Sequence, residues 1–258
     1  MILRQFGLIG YPLSHSFSQG FFSKKFLNEH IKDVQYDNFP IPSINDFSAL
    51  WQQHEVLEGL NVTIPYKKEV IPFIQFPSSV VQKINACNCI RKFNNELYGY
   101  NTDVIGFEKS LQPLLKTWHT KALILGTGGA AAAVEYVLQK LGIAYQLVSR
   151  NDQSKATIYN ASVINYAVLN EEIINQHRLI INTSPIGMYP NIDEAPSIPY
   201  AFLSDKHYLY DLVYNPGETL FLAKGKEKGA TIKNGLDMLH IQAEESWAIW
   251  NSLTPIQQ

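Results

Sequence analysis

A glycine-rich turn lies near the middle of the chain, between an apolar segment at 121–125 and an alanine-rich segment. It fits the pattern G-x-G-x-x-G/A, with alanine in the third place. Its residues are Gly126, Thr127, Gly128, Gly129, Ala130 and Ala131. The first glycine permits a tight turn, the second lets the backbone approach a pyrophosphate, and the small third residue keeps helix and strand close. Because the following helix offers free N–H groups to phosphate, the turn predicts a dinucleotide site rather than a turn without ligand.

The next predicted strand, 144–149, ends in Ser149 and Arg150 rather than in an acidic residue. A site for NAD usually places Asp or Glu about 20 residues after the turn, where it accepts a hydrogen bond from the ribose 2′-hydroxyl. Arg150 instead suits the 2′-phosphate of NADP, because a guanidinium pairs with phosphate. We therefore predict NADP as the cofactor, with Ser149 and Lys155 near the phosphate. A plain surface arginine is the alternative, and Asp152 could weaken the preference for NADP.

Lys67 and Asp103 carry side chains that would suit the reversible oxidation of an alcohol. In such a reaction one group takes the hydroxyl proton while hydride leaves for a nicotinamide. Lys67 follows Pro65, which suits the first turn of a short helix, and Asp103 lies at the start of a predicted helix. A solvated lysine and a helix-capping aspartate are the commoner roles for these residue types, so the pair is a hypothesis at this stage.

Uncharged polar residues follow or line the first predicted strands, where ligands bind in open α/β sheets. Ser14 and Ser16 follow the first strand, and their hydroxyls can face the same carboxylate, although capping of the next helix is the favoured role from residue type. Asn61 and Thr63 share one face of their strand. They can grip substrate hydroxyls, and a half-exposed strand without ligand explains them equally well.

Strand-like and helix-like segments alternate through most of the chain, which predicts an α/β fold with a mostly parallel sheet. Strands are predicted at 6–10, 35–39, 60–64, 86–93, 97–100, 121–125, 144–149, 179–183 and 208–213. Helices are predicted after the glycine turn and at 17–30, 46–54, 103–116, 218–228 and 237–252. Because the glycine turn begins almost halfway along the chain, another α/β unit of roughly 100 residues is expected before it.

Composition excludes several classes of protein. The 258 residues include 21 Lys+Arg and 23 Asp+Glu, for a formal net charge of -2, which argues against a nucleic-acid partner. Two cysteines cannot form a disulfide framework, and no histidines lie at metal-ligand spacing beside a cysteine pair, so no metal is expected. No apolar segment approaches the roughly 20 residues of a membrane span. We expect a cytoplasmic protein without a membrane partner.

The chain resembles the shikimate dehydrogenase family, over nearly its whole length and in matching order. The resemblance is carried by YPLSHSFSQ (11–19), LNVTIPYKKEV (60–70), INACNCI (84–90), YGYNTDVIGF (98–107), LGTGGAAAA (125–133), SRNDQSKA (149–156), NTSPIGMYP (182–190), YDLVYNP (210–216) and NGLDMLHIQA (234–243). These segments are specific in combination, whereas no single one would suffice.

The resemblance implies an NADP-dependent oxidoreductase that interconverts 3-dehydroshikimate and shikimate in aromatic amino-acid biosynthesis. It implies a substrate domain, residues 1–102 with 237–258, and a Rossmann-type NADP-binding domain, residues 103–236. Lys67 and Asp103 would be the catalytic pair. The implied substrate-binding residues are Ser14, Ser16, Asn61, Thr63, Asn88, Tyr214 and Gln242. Outside the glycine turn, the cofactor-binding residues would be Ser149, Arg150, Lys155, Thr183, Ser184, Gly235 and Met238.

Three alternatives stay open at this stage. A quinate or dual quinate/shikimate dehydrogenase has the same fold and differs by one substrate hydroxyl. A non-catalytic NADP-binding regulator would keep the pocket, although the presence of both Lys67 and Asp103 argues against it. A folate or amino-acid dehydrogenase of similar build is disfavoured by the paired serines and the terminal glutamine. The sequence does not decide between a monomer and a homodimer.

Overall fold

A computed structural model describes residues 4–13, 17–150 and 158–256. Ser14, Ser16 and Lys155 therefore lie outside the described residues. The chain divides into two compact units, Met1–Ile105 with His240–Gln258 and Gly106–Leu239.

The first unit is built on a six-stranded mixed sheet in the order β2-β1-β3-β5-β6-β4. Its elements are β1 (Arg4–Gly10), α1 (Phe17–Asn28), β2 (Val34–Pro40), α2 (Phe47–Gln53), β3 (Leu57–Val62), β4 (Phe76–Pro77), α3 (Ser79–Ile84), β5 (Cys89–Phe93), β6 (Glu96–Tyr100) and α4 (Thr102–Leu111). Helix α4 crosses the boundary between the two units. Strand β1 pairs in parallel with β2 and β3, and β4 pairs in parallel with β6. Strand β5 runs antiparallel to both of its neighbours, and a turn at Asn94 and Asn95 joins it to β6 in a hairpin.

The second unit is built on a six-stranded sheet in the order β12-β11-β10-β7-β8-β9, in which every pairing is parallel. Its elements are β7 (Lys121–Leu125), α5 (Gly129–Lys140), β8 (Ala144–Ser149), β9 (Val163–Asn165), α6 (Glu171–Gln176), β10 (Leu179–Asn182), β11 (Tyr208–Asp211), α7 (Leu220–Glu227), β12 (Thr231–Lys233) and α8 (Leu236–Asn251). Helix α8 continues from this unit into the first. Counted from β7, the strand order is 6-5-4-1-2-3, which is the doubly wound dinucleotide-binding order. The predicted α/β class is confirmed.

Aromatic side chains of α8 pack on the sheet of the first unit. The indole of Trp250 stacks on Phe6 with ring centroids 4.7 Å apart, and its Nε1 donates to the carbonyl of Ile90 at 2.9 Å. The indole fits there because Gly59 on β3 has no side chain. The rigid sheet and α8 together fix the positions of the polar groups described below.

One predicted element is wrong. Residues after Pro65 form turns rather than a helix, and a short 3-10 helix, Ile71–Phe73, follows. An α-helix would require Ile71 N to donate to the carbonyl of Lys67. That carbonyl instead accepts from Cys87 N at 2.7 Å, and Ile71 N donates to the carbonyl of Lys68. The segment is thus held by a distant part of the chain.

The boundaries of other predicted elements also shift. Strand β3 ends at Val62 rather than at residue 64, and Ile64 beyond it is 74% exposed. Helix α4 ends at Leu111 and is followed by a 3-10 helix that contains Pro113, because proline cannot donate to the helical ladder. The prediction did not include β4, β9, β12, α3 or α6. Within the described residues, no helix combines the length and apolarity needed to cross a membrane.

Candidate active site

Lys67 and Asp103, which are distant in sequence, form an ion pair in the first unit. Lys67 Nζ donates to Asp103 Oδ2 at 2.7 Å. The Lys67 side chain is 32% exposed and that of Asp103 is 15% exposed, so the pair is accessible without being fully solvated. An ion pair in such a setting orients both groups more firmly than one on an open surface. Asp103 therefore holds the Lys67 ammonium at a defined position, where it can exchange a proton.

Backbone structure positions both members of the pair. Lys67 lies in the turns that follow β3, and its carbonyl is fixed by Cys87 N. Asp103 lies in the first turn of α4. The capping role that residue type suggested for Asp103 is performed by Asn101, whose Oδ1 accepts from Val104 N at 3.2 Å. The Asp103 carboxylate is thus directed to Lys67 rather than to the helix end.

Three predicted substrate-binding amides lie in one hydrogen-bonded network of the same unit. Asn88 Nδ2 donates to Gln242 Oε1 at 3.3 Å, and Asn61 Nδ2 donates to the carbonyl of Asn88 at 3.2 Å. Asn88 is 4% exposed, whereas Asn61 and Gln242 are half-buried. The network joins the end of β3, the residue before β5, and α8. Amides held in this way can present fixed donors and acceptors to a polyhydroxylated ligand.

Three further residues complete this network and were not predicted as site residues. Thr102 N donates to Asn88 Oδ1 at 2.7 Å, Tyr36 OH donates to Asn61 Oδ1 at 3.0 Å, and Asn61 Nδ2 donates to Ser246 Oγ at 2.9 Å. Ser246 lies one helical turn after Gln242 on a buried face, and that spacing is the signal that could have identified it. Burial raises the pKa of Tyr36, which keeps its hydroxyl protonated as a donor.

The remaining predicted substrate-binding residues are not placed in this amide network. Thr63 follows β3 and is half-buried, and its methyl group Cγ2 lies 2.5 Å from the place that a Cβ at Gly10 would take. Tyr214 belongs to the second unit, in the turn after β11, and is half-buried. Ser14 and Ser16 lie outside the described residues.

The glycine turn of the second unit has the shape that a pyrophosphate requires. Gly126 has φ +111, a left-handed conformation that suits glycine. Gly128 caps α5, and a Cβ at Gly128 or Gly129 would meet no heavy atom within 4 Å among the described residues. Ala130 is exposed and Ala131 is 2% exposed against the core. The N-terminus of α5 therefore faces open space, which fits a bound phosphate.

Thr183 and Ser184 follow β10, the strand beside β7, so they lie where the strand order reverses. Thr183 Oγ1 donates to the carbonyl of Leu125 at 3.0 Å, directly before the glycine turn. Ser184 Oγ donates to Asn182 Oδ1 at 2.6 Å. This switch point is the usual ligand crevice of a doubly wound sheet. The positions of Thr183 and Ser184 fit cofactor binding.

Ser149 ends β8, and Arg150 follows it with an exposed side chain. Asn165 Nδ2 donates to the carbonyl of Arg150 at 3.2 Å, which ties the end of β9 to the end of β8. Burial raises the pKa of the adjacent Tyr166 to about 12, although the positive charge of Arg150 opposes this rise. An exposed guanidinium at a fixed strand end fits a 2′-phosphate.

Asp211 is a buried acidic group in the second unit that the sequence reasoning missed. Its carboxylate accepts from Thr219 Oγ1 at 2.6 Å, from Val213 N at 3.0 Å and from Asn182 Nδ2 at 2.9 Å. Burial raises the pKa of Asp211 to about 6, and these three donors oppose the rise. Asp211 thus links the loops that follow β10 and β11.

Gly235 and Met238, predicted to bind the cofactor, are both buried at the start of α8. A Cβ at Gly235 would overlap the carbonyl of Leu212, so only glycine fits there. The close approach fixes the path of the chain into α8.

Comparison with known proteins decides the family. Residues 8–90 match the family model of the shikimate dehydrogenase substrate binding domain. A shikimate dehydrogenase (NADP(+)) of Aquifex aeolicus (strain VF5) is 35% identical over 254 residues, which cover 95% of this chain and 90% of the relative. The chain belongs to the shikimate dehydrogenase family.

Solved structures of shikimate dehydrogenases extend the similarity to both units. A chorismate mutase/shikimate 5-dehydrogenase fusion protein from Clostridium acetobutylicum has a TM-score of 0.86 at 36% identity, and the match covers 97% of this chain and 92% of that one. The shikimate 5-dehydrogenase from Thermus thermophilus, solved in complex with NADP(H) and shikimate, has a TM-score of 0.85 at 26% identity over 98% of this chain and 95% of that one.

Proposed function

We propose that the protein is an NADP-dependent dehydrogenase that interconverts shikimate and 3-dehydroshikimate. The observation that carries this proposal is the Lys67–Asp103 pair at 2.7 Å, in the unit that also holds the network of Asn61, Asn88 and Gln242. A proton-exchanging pair and fixed amides are what the oxidation of one hydroxyl on a polyhydroxylated ring requires. The NADP(H) and shikimate bound to the Thermus thermophilus relative support the choice of substrate and cofactor.

Lys67 is the proposed proton-transfer group. In the direction of alcohol oxidation, the neutral amine of Lys67 takes the hydroxyl proton as the carbon loses hydride, and so becomes the ammonium; in reduction the ammonium returns that proton to the oxygen as hydride reaches the carbon. Asp103 holds the ammonium in place and balances its charge. NADP, when bound, supplies the acceptor for the hydride.

The amide network is proposed to bind the ring. Gln242 Oε1 is occupied by Asn88, so the Nε2 group of Gln242 is the end that can donate to a substrate oxygen. Thr63 would contact a ring hydroxyl, and Tyr214 stays a predicted substrate-binding residue. Ser14 and Ser16 would hold the substrate carboxylate.

The second unit is proposed to bind NADP, and the first to bind substrate. The open N-terminus of α5 fits the pyrophosphate, which the turn from Gly126 to Ala131 would hold. The 2′-phosphate would be held by Ser149, Arg150 and Lys155, the ribose by Thr183 and Ser184, and the nicotinamide by Gly235 and Met238. A cytoplasmic location and a monomeric or homodimeric state stay predictions.

The test is a turnover assay of the purified chain that follows the absorbance band of reduced nicotinamide. Shikimate and quinate are each offered with NADP and with NAD. We expect the highest kcat/KM for shikimate with NADP. Faster turnover of quinate would identify a quinate dehydrogenase instead. NADP binding without turnover of either acid would support a non-catalytic regulator and overturn the proposal.

A further inference from the structure

Ser246 is a fully buried hydroxyl in α8, and it joins several of the polar groups described above. It is 0% exposed. Its Oγ accepts from Asn61 Nδ2 at 2.9 Å and donates to the carbonyl of Gln242 at 2.8 Å. It also lies 3.4 Å from Thr102 Oγ1. One small side chain thus contacts β3, the start of α4 and the preceding turn of α8.

The Ser246 hydroxyl determines the orientation of the Asn61 amide. Asn61 has two amide protons, and they go to Ser246 Oγ and to the carbonyl of Asn88, while Asn61 Oδ1 accepts from Tyr36 OH. The Asn61 amide group therefore has only one orientation that satisfies all three hydrogen bonds. Ser246 specifies the donor end and Tyr36 specifies the acceptor end.

Asn88 connects Asn61 to Gln242. Asn88 Nδ2 donates to Thr102 Oγ1 at 3.1 Å and to Gln242 Oε1 at 3.3 Å. Gln242 is held at its backbone carbonyl by Ser246 and at its side-chain oxygen by Asn88. Its Nε2 group makes no hydrogen bond to the residues that the structure describes.

We propose that Ser246 is a positioning residue of the substrate pocket. It fixes the orientation of Asn61, which donates to the Asn88 carbonyl, and Asn88 in turn holds Gln242 Oε1, so that Gln242 presents Nε2 as a donor to an oxygen of the ring acid. This inference rests on the proposed function and extends it to a residue that would not touch the substrate. It assigns Ser246 to substrate affinity and leaves the proton transfer to Lys67.

The central variant is Ser246→Ala. It removes the acceptor of one buried Asn61 proton and the tether on the Gln242 carbonyl, while it leaves the volume of the core nearly unchanged. We expect the Kd of shikimate, measured by calorimetry without cofactor, to rise about 2- to 10-fold, the range given by one net hydrogen bond. KM for shikimate should rise by a similar factor, with kcat within about twofold of the parent, because uniform binding is lost.

Ser110→Ala is the matched control. Ser110 is another buried helix serine, and its hydroxyl contacts the carbonyl of Phe107 at 3.1 Å and Tyr210 OH at 2.6 Å, within the second unit. Both variants should lower Tm to a similar extent. Only Ser246→Ala should weaken shikimate binding, and neither should change the Kd of NADPH measured by fluorescence.

Tyr36→Phe provides a second, independent variant in case Ser246→Ala does not fold. It removes the donor to Asn61 Oδ1, and the same selective rise in the Kd of shikimate is expected. Equal losses of shikimate and NADPH affinity, or a shikimate Kd unchanged in the folded variants, would overturn the positioning role. If the parent protein itself neither binds nor oxidises shikimate, the proposed function fails, which is a separate result.

Discussion

Asn101 caps helix α4, and the carboxylate of Asp103, two residues later, is thereby left to bind Lys67. An aspartate near a helix start usually satisfies the free N–H groups of the first turn. Here the amide oxygen of Asn101 performs that task by accepting from Val104 N. In the sequence Asn-Thr-Asp, the first residue therefore caps the helix, and the third is left to bind Lys67.

Replacing Lys67 tests the chemistry directly. Lys67→Ala removes the proposed proton-transfer group, so we expect kcat to fall by about 10²–10⁴-fold, with a modest change in KM for shikimate. The measurement is steady-state kinetics with shikimate and NADP. Lys68→Ala is the control, because Lys68 is exposed and adjacent and its side chain has no place in the network. A Lys67→Ala variant with nearly full kcat would remove Lys67 from the mechanism.

Replacing Arg150 tests the choice of cofactor. Arg150→Ala removes the exposed guanidinium at the end of β8, so binding of the 2′-phosphate should weaken while binding of the rest of the dinucleotide persists. We expect KM for NADP to rise about 10- to 100-fold, the range of a charged hydrogen bond, and KM for NAD to change little. The ratio of kcat/KM for the two cofactors reports the effect. An unchanged ratio would mean that Arg150 is a surface residue without this role.

The sequence predicts best those elements that are determined by residues next to one another in the chain. Strands β7 and β8 have the predicted bounds, because a continuous apolar segment, a glycine turn and a small-residue helix follow one another directly. The segment after Pro65 is the contrary case. Its local signal favours a helix, but a hydrogen bond from Cys87 N takes the carbonyl of Lys67 that the helix would need. A hydrogen bond between residues so far apart in the chain cannot be predicted from a short segment of sequence.

The site shows the same limit. Residue types and family resemblance predicted Lys67 and Asp103, but only the fold brings the two atoms within 2.7 Å. Ser246 and Tyr36 were missed because a buried serine in an apolar helix and a tyrosine in an alternating strand resemble ordinary core positions. Their partners, Asn61 in both cases, lie on a different element.

The fit between Gly59 and Trp250 predicts a large effect on stability. A Cβ at Gly59 would overlap Nε1 and Cδ1 of the indole, which is itself held by the carbonyl of Ile90. Gly59→Ala should therefore lower the free energy of unfolding by about 1–3 kcal/mol, the usual effect of overpacking. Urea denaturation measures it. Gly20→Ala in α1 is the control with the opposite sign, because beyond its neighbours and its own helix backbone the new methyl would meet no heavy atom of the described residues within 4 Å, and alanine favours helix by about 1 kcal/mol. Equal effects in both variants would contradict this account of the packing.

Buried histidines of the second unit predict that stability falls in mild acid. Burial lowers the pKa of His119 and His207 in the folded protein. In each ring Nδ1 accepts from a backbone N–H, of Lys116 and Ser204 respectively, so Nε2 donates to a carbonyl and the neutral form is already satisfied. A proton added to Nδ1 would face a donor.

The sign of the effect follows from proton linkage. Below the usual histidine pKa of about 6.5, the unfolded chain binds more protons than the folded one, so stability is lost as pH falls toward the lowered folded pKa values. Asp211 acts in the opposite sense, because its pKa is raised to about 6 and its contribution to stability declines as pH rises through that value. A variant at one histidine separates the two.

His207→Asn is that variant. The asparagine oxygen can accept from Ser204 N in place of Nδ1, but the side chain does not titrate. We expect the loss of unfolding free energy between pH 7 and about pH 5, measured by urea denaturation, to be smaller in His207→Asn than in the parent. His30→Asn, at an exposed position whose φ of 53 asparagine tolerates, should keep the parent's pH dependence. If both variants lose stability with pH as steeply as the parent, His207 is not a source of the acid sensitivity.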